Sequence, residues 1–107
     1  MKIKIGYLYY KIIEVPYVDT DGASVLNGEV NHDKLHIQIR ESIPNAKKRE
    51  VILHEILHAI ADNSTINLDE DQIETLAVGL SSFLIDNLEY VKRIIKEVEL
   101  DIDEGTE

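Results

Sequence analysis

The sequence predicts an α+β domain, with a small antiparallel β-sheet of about three strands packed on two helices. Up to Pro44 the chain is rich in β-branched and aromatic residues interrupted by turn residues. Beyond Pro44 the apolar residues recur at helical spacing. The chain has 107 residues, 44% of them hydrophobic, which suits one domain with a single core spanning residues 1–107.

Residues 2–15 form an apolar, β-branched run that stops at Pro16 and reads as a strand. Asp19-Thr20-Asp21-Gly22 reads as a turn and Asn27-Gly28 as a hairpin signal, with residues 23–26 a short strand between them. In residues 34–40, Leu35, Ile37 and Ile39 alternate with His36, Gln38 and Arg40, as in a strand with one buried face. Asn45 is placed to cap a helix from about Ala46 to Ala61. A longer helix starts near Asp69 and is expected to run to about Leu100. Residues 101–107 are acidic, contain Gly105 and are expected to be a loose tail.

Composition narrows the function. There is no cysteine, which excludes a disulfide scaffold, a thiolate metal site and a cysteine nucleophile. Residues 1–50 carry 8 basic and 7 acidic side chains, whereas residues 51–107 carry 3 and 14, for a net charge of −10. So acidic a second half would repel a phosphate backbone, which argues against nucleic acid as a partner. No run is apolar and long enough for a signal peptide or a membrane span, so the expected location is cytoplasmic.

The first helix carries His54-Glu55-Ile56-Leu57-His58. At roughly 100° per residue, His54 and His58 lie on nearly the same side, one turn apart. Two imidazoles so placed can reach one zinc ion at roughly 2.0–2.1 Å. Glu55, beside the first of them, can hold and deprotonate a water that zinc brings to a pKa of about 7. This is the HExxH arrangement of zinc peptidases. The helix is otherwise apolar on nearly every side, which predicts a buried helix whose polar residues need partners. The competing account makes His54 and His58 ordinary core-edge histidines bonded to backbone or to Glu55.

A catalytic zinc site takes three protein ligands and leaves one position open. The extended pattern with a third histidine is absent, since Ala61 and Ser64 occupy the diagnostic positions. The third ligand is therefore sought at the start of the second helix, whose apolar stripe reads Ile73, Leu76, Ala77, Leu80, Leu84, Leu88 and Val91. Glu70 lies about 60° from the centre of that stripe and Glu74 about 100°. Glu70 also has a role without metal, as the third residue of a capping box begun by Asn67. Spacing alone leaves Glu70, Glu74 or neither as the ligand.

A His-Glu-x-x-His helix followed by a glutamate on the next helix resembles the gluzincins, the thermolysin-like zinc peptidases. The segment Glu70-Asp71-Gln72-Ile73-Glu74-Thr75-Leu76-Ala77 is similar to their ligand segment. That resemblance implies Glu70 as ligand and Glu74 as the residue that steadies a histidine from the outer shell. The short chain and the order of elements resemble two small branches, the minigluzincins and the ImmA/IrrE-type peptidases. The specific match covers about residues 50–84, and glutamate stands at 74 where aspartate or asparagine is more usual.

The resemblance implies hydrolysis of a peptide or protein substrate, with zinc on His54, His58 and Glu70 and Glu55 as general base. It also implies that an edge strand above the metal, here residues 34–40, pairs with an extended peptide. Two other readings stand beside it. One is a latent scaffold whose cleft is crossed by the 101–107 tail or by a neighbour. The other is a metal-free helical module that binds a partner, a second copy of the chain among them. His32 and His36 are expected on the surface, and the tyrosines at 7, 9, 10, 17 and 90 in packing, although one could stabilise an oxyanion.

Overall fold

The computed structural model describes residues 1–18 and 26–96. Strands β1 (Lys2–Ile5), β2 (Leu8–Val15), β3 (Gly28–Asn31) and β4 (His36–Arg40) precede helices α1 (Asn45–Asp62), α2 (Glu70–Asp86) and α3 (Leu88–Ile95). The α+β class is as expected; the details differ. The four strands form one mixed sheet in the order β1-β2-β4-β3, with β2 and β4 parallel and the outer pairs antiparallel.

The run expected to be one strand is two. Gly6 takes a φ of +64°, a conformation that only glycine adopts cheaply, and the chain reverses there into β2. β2 ends before Pro16, as expected. After it, the chain reaches the far edge as β3 and returns by a hairpin as β4, into the gap between β3 and β2. That return makes β2 and β4 parallel.

The hairpin turn is not at Asn27-Gly28, because Gly28 already belongs to β3. It lies between Asn31 and His36, where Asn31 Oδ1 accepts from the N–H groups of Asp33 (3.0 Å) and Lys34 (2.9 Å). Leu35 closes it with a φ of +54°, held by Lys11 N–H donating to its carbonyl at 3.0 Å. The strand expected over residues 34–40 is thus His36–Arg40. It has strands on both sides, and Gln38 is buried along with Ile37 and Ile39, so the alternation of exposure is lost. The turn read at residues 19–22, most of the 23–26 strand and the 101–107 tail lie outside the described residues.

The core gathers Ile5, Tyr10, Ile37 and Ile39 of the sheet under Val51 and Ala59 of α1. Contrary to expectation, α1 is not buried on every side: Val51, Glu55 and Ala59 are buried, but Ile60 is half exposed. Asn45 is its first residue, and no side chain caps it. Helix α2 is capped by Asp69, not Asn67. Asp69 Oδ1 accepts from Gln72 N–H at 2.8 Å, and Gln72 Oε1 accepts from Asp69 N–H at 2.9 Å.

The single long C-terminal helix is broken at Asn87. Its N–H and its Nδ2 both donate to the Phe83 carbonyl at 3.0 Å, so a short polar side chain competes for the helix's own acceptor. The buried face of α2 keeps Ile73 and Ala77 of the expected stripe but is turned away from its leucines. It runs through Ile73, Ala77 and Ser81, leaving Leu76 and Leu80 on an exposed flank.

Gly28 sets how closely α1 approaches the sheet. A Cβ there would lie 2.5 Å from Val51 Cγ1 and 3.1 Å from the Gln38 carbonyl oxygen. Gly28→Ala is therefore expected to destabilise the protein by about 1–3 kcal/mol, the usual cost of overpacking a core. Urea denaturation measures it, and an unchanged midpoint would show that α1 does not sit down on β3.

Candidate metal centre

Helix α1 presents His54 and His58 one turn apart, and the start of α2 brings Glu70 against both. His54 Nε2 lies 2.8 Å from Glu70 Oε1, His58 Nε2 3.0 Å from Glu70 Oε2, and the two Nε2 atoms are 3.2 Å apart. These residues each offer one ligand atom, and they are the group able to hold a metal ion among the described residues. Tetrahedral zinc with bonds of about 2.0–2.1 Å places its ligand atoms roughly 3.3–3.4 Å apart. The observed contacts are shorter than that, and Glu70 meets the two imidazoles with its two different oxygens. Two imidazole nitrogens and a carboxylate oxygen suit zinc in type, so the donors fit the ion.

Glu74, one turn after Glu70, faces the other side of the same imidazole: its Oε1 lies 3.3 Å from His54 Nδ1. A carboxylate on the second nitrogen of a ligand histidine fixes its ring orientation and tautomer. The two glutamates thus have different places, Glu70 between the histidines and Glu74 behind one of them. Since Gln72 completes the capping box, the Glu70 carboxylate is not used in capping.

Glu55 is buried and points to the sheet, where its Oε1 accepts from Val30 N–H at 3.1 Å. Burial pushes its carboxyl above the ordinary 4.5. His54, His58 and the Val30 N–H oppose that rise, and Glu70 adds to it. A carboxyl so placed sits nearer the range in which it can both take and return a proton.

A cleft of about 540 Å³ opens beside these groups, walled by Gly28, Glu29 and Val30 of β3 and by His54, Glu55, His58 and Glu70. A smaller arm continues past Lys47, Glu50 and Glu74. The edge strand at the cleft is therefore β3, not the 34–40 segment, whose β4 is interior. The Arg40 N–H bond to the Asn27 carbonyl sets the phase of the β3–β4 ladder. By antiparallel alternation, Gly28 and Val30 turn their main-chain groups to the open edge.

His32 also lines the cleft. It is exposed, as the sequence suggests, and it is also bonded on both sides: its Nδ1 meets the hydroxyl of the fully buried Tyr10 and its Nε2 meets Asp62 Oδ2, both at 2.9 Å. That chain ties β2, the β3–β4 turn and the end of α1 together. Its members are 22 and 30 residues apart, and no spacing in the sequence announces it. Neither His36 nor any tyrosine lines the cleft.

Set against known proteins, the chain matches no family model, no curated protein and no solved structure, so its site is read from its own residues.

The burial of Glu55 has a pH signature. A carboxyl raised above 4.5 contributes its full stability below that pH and loses it as pH rises through the raised value. Glu55→Gln keeps an acceptor for Val30 N–H and removes the buried charge. In chelator, the variant is expected to melt above the wild type at neutral pH, with the gap closing as pH falls through the raised value and closed by 4.5. Parallel melting curves across the range would contradict the burial cost.

Proposed function

We propose that this chain is a zinc-dependent metallopeptidase. The observation that supports it most is the convergence of His54, His58 and Glu70 beside a buried Glu55, in one cleft walled by the open edge of a strand. The likeness of residues 50–84 to the gluzincin pattern supports it too, with Glu70 as third ligand and Glu74 steadying His54.

In this reading, zinc when bound polarises the scissile carbonyl and makes water acidic enough to lose a proton near neutral pH. The rest falls to the chain. An extended peptide lies along β3, where the outward N–H and C=O of Gly28 and the C=O of Val30 fix its register, the Val30 N–H being held by Glu55. Glu55, with Oε1 anchored by Val30 N–H, takes the proton from the attacking water on its other oxygen. It then delivers that proton to the departing amine. His54 and His58 hold the ion, with Glu74 keeping the His54 ring from turning.

The competing reading keeps the geometry and drops the ion. The His54–Glu70 and His58–Glu70 contacts then serve as a polar clasp between α1 and α2. Elemental analysis after zinc loading separates the two. The expected result is about one zinc per chain, lost in Glu70→Ala and retained in Glu74→Ala with affinity weaker by roughly 10–100-fold. Glu55→Gln should keep its zinc and lose peptide cleavage by roughly 10²–10⁴-fold. A folded wild type that takes up no zinc would leave only the clasp.

A further inference from the structure

We propose that two copies of this chain pair through α2, antiparallel about a two-fold axis, with Leu76, Leu80 and Phe83 forming the seam. The inference is independent of the zinc reading. Thr75 to Ile85 is an uncharged stretch of 11 residues in the middle of α2. A helix apolar around most of its circumference belongs in an interior. Here only the line through Ile73, Ala77 and Ser81 is buried. Leu76, Leu80 and Phe83, spaced i, i+4, i+7, are 43%, 38% and 46% exposed on one flank. Three-four spacing is that of a helix–helix seam.

The next element is uncovered as well. Among the described residues, α3 rests on α2 alone and none of its residues is buried. At 8 residues it is too short to hold a helix in water by itself. The radius of gyration of 16.0 Å exceeds the roughly 13 Å of a compact domain of this length, as a projecting arm requires.

Charge selects a second copy as the occupant. The three basic residues of the second half, Lys92, Arg93 and Lys96, all lie on or at the end of α3. The start of α2 is acidic, with Asp69 and Asp71. An antiparallel pair centred between Gly79 and Leu80 sets Leu76 of one copy against Phe83 of the other. It also carries the basic arm of each copy toward the acidic helix start of its mate. The contact is isologous, so it closes at two chains.

The full chain is tested by sedimentation over a hundredfold range of concentration. The expected mass is twice that of the chain, falling to one chain in Leu80→Glu, whose substituted side chain sits on the exposed flank and should leave the circular dichroism unchanged. Because the chain has no cysteine, Leu80→Cys should cross-link to a dimer under mild oxidation, and Ser82→Cys, on the far side of the helix, should not. The cysteine pair decides the matter should Leu80→Glu fail to fold. A wild type monomeric at every concentration would overturn the proposal. So would a dimer that survives Leu80→Glu, or one that cross-links through position 82 and not 80.

Discussion

Helix α1 comes down onto strand β3 where Gly28 has no side chain, and Val51 stands where a Cβ would be. One turn along α1 from Val51 is Glu55, and two residues along β3 from Gly28 is the outward N–H of Val30. The approach that the glycine permits is thus the approach that lets Glu55 reach Val30. A carboxyl buried between a helix and a sheet needs a donor, and the open edge of β3 supplies one. The rest of the cleft follows from the same seating: α1 then carries His54 and His58 toward α2, away from the sheet, and the β3 edge becomes the opposite wall.

The His–Glu cluster contributes little to the stability that docks α2. Its glutamates are well exposed, with Glu70 71% and Glu74 52% open to solvent. Pairs in such surroundings contribute roughly 0–1 kcal/mol. Helix docking rests instead on Ile73 and Ala77, both fully buried. A polar cluster of little worth to the fold, holding one donor atom from each of three residues within 4.8 Å of one another, breaks local economy in the way a functional site does.

Much of this was legible in the sequence because it is local. The i, i+4 histidines and the adjacent glutamate need only a helix to acquire their geometry. The helix starts near 45 and 70 are marked by Pro44 and by polar residues at 67–72. What the sequence hid was non-local. Nothing in β3 or β4 alone says that the second inserts beside β2 and so moves the cleft's edge strand from 34–40 to 28–31. The Gly6 reversal is masked by its flanking residues, which are all good strand formers. The Tyr10–His32–Asp62 chain depends on three separate elements meeting.

The rotation of α2 links the site to the uncovered flank. Measured from Ala77 at roughly 100° per residue, Glu70 lies about 20° away and Glu74 about 60° on one side, with Leu80 about 60° and Leu76 about 100° on the other. Turning the helix to bury both leucines would swing Glu70 to about 100° from the interface and Glu74 farther still. Neither could then reach an imidazole. Carboxylates over the histidines and leucines in the core are incompatible demands on one helix, and α2 meets the first. Ser81 is buried and shares a mostly apolar pocket with Ile52 and Leu53 of α1. The apolar seam this leaves exposed is the one that the proposed pairing would cover.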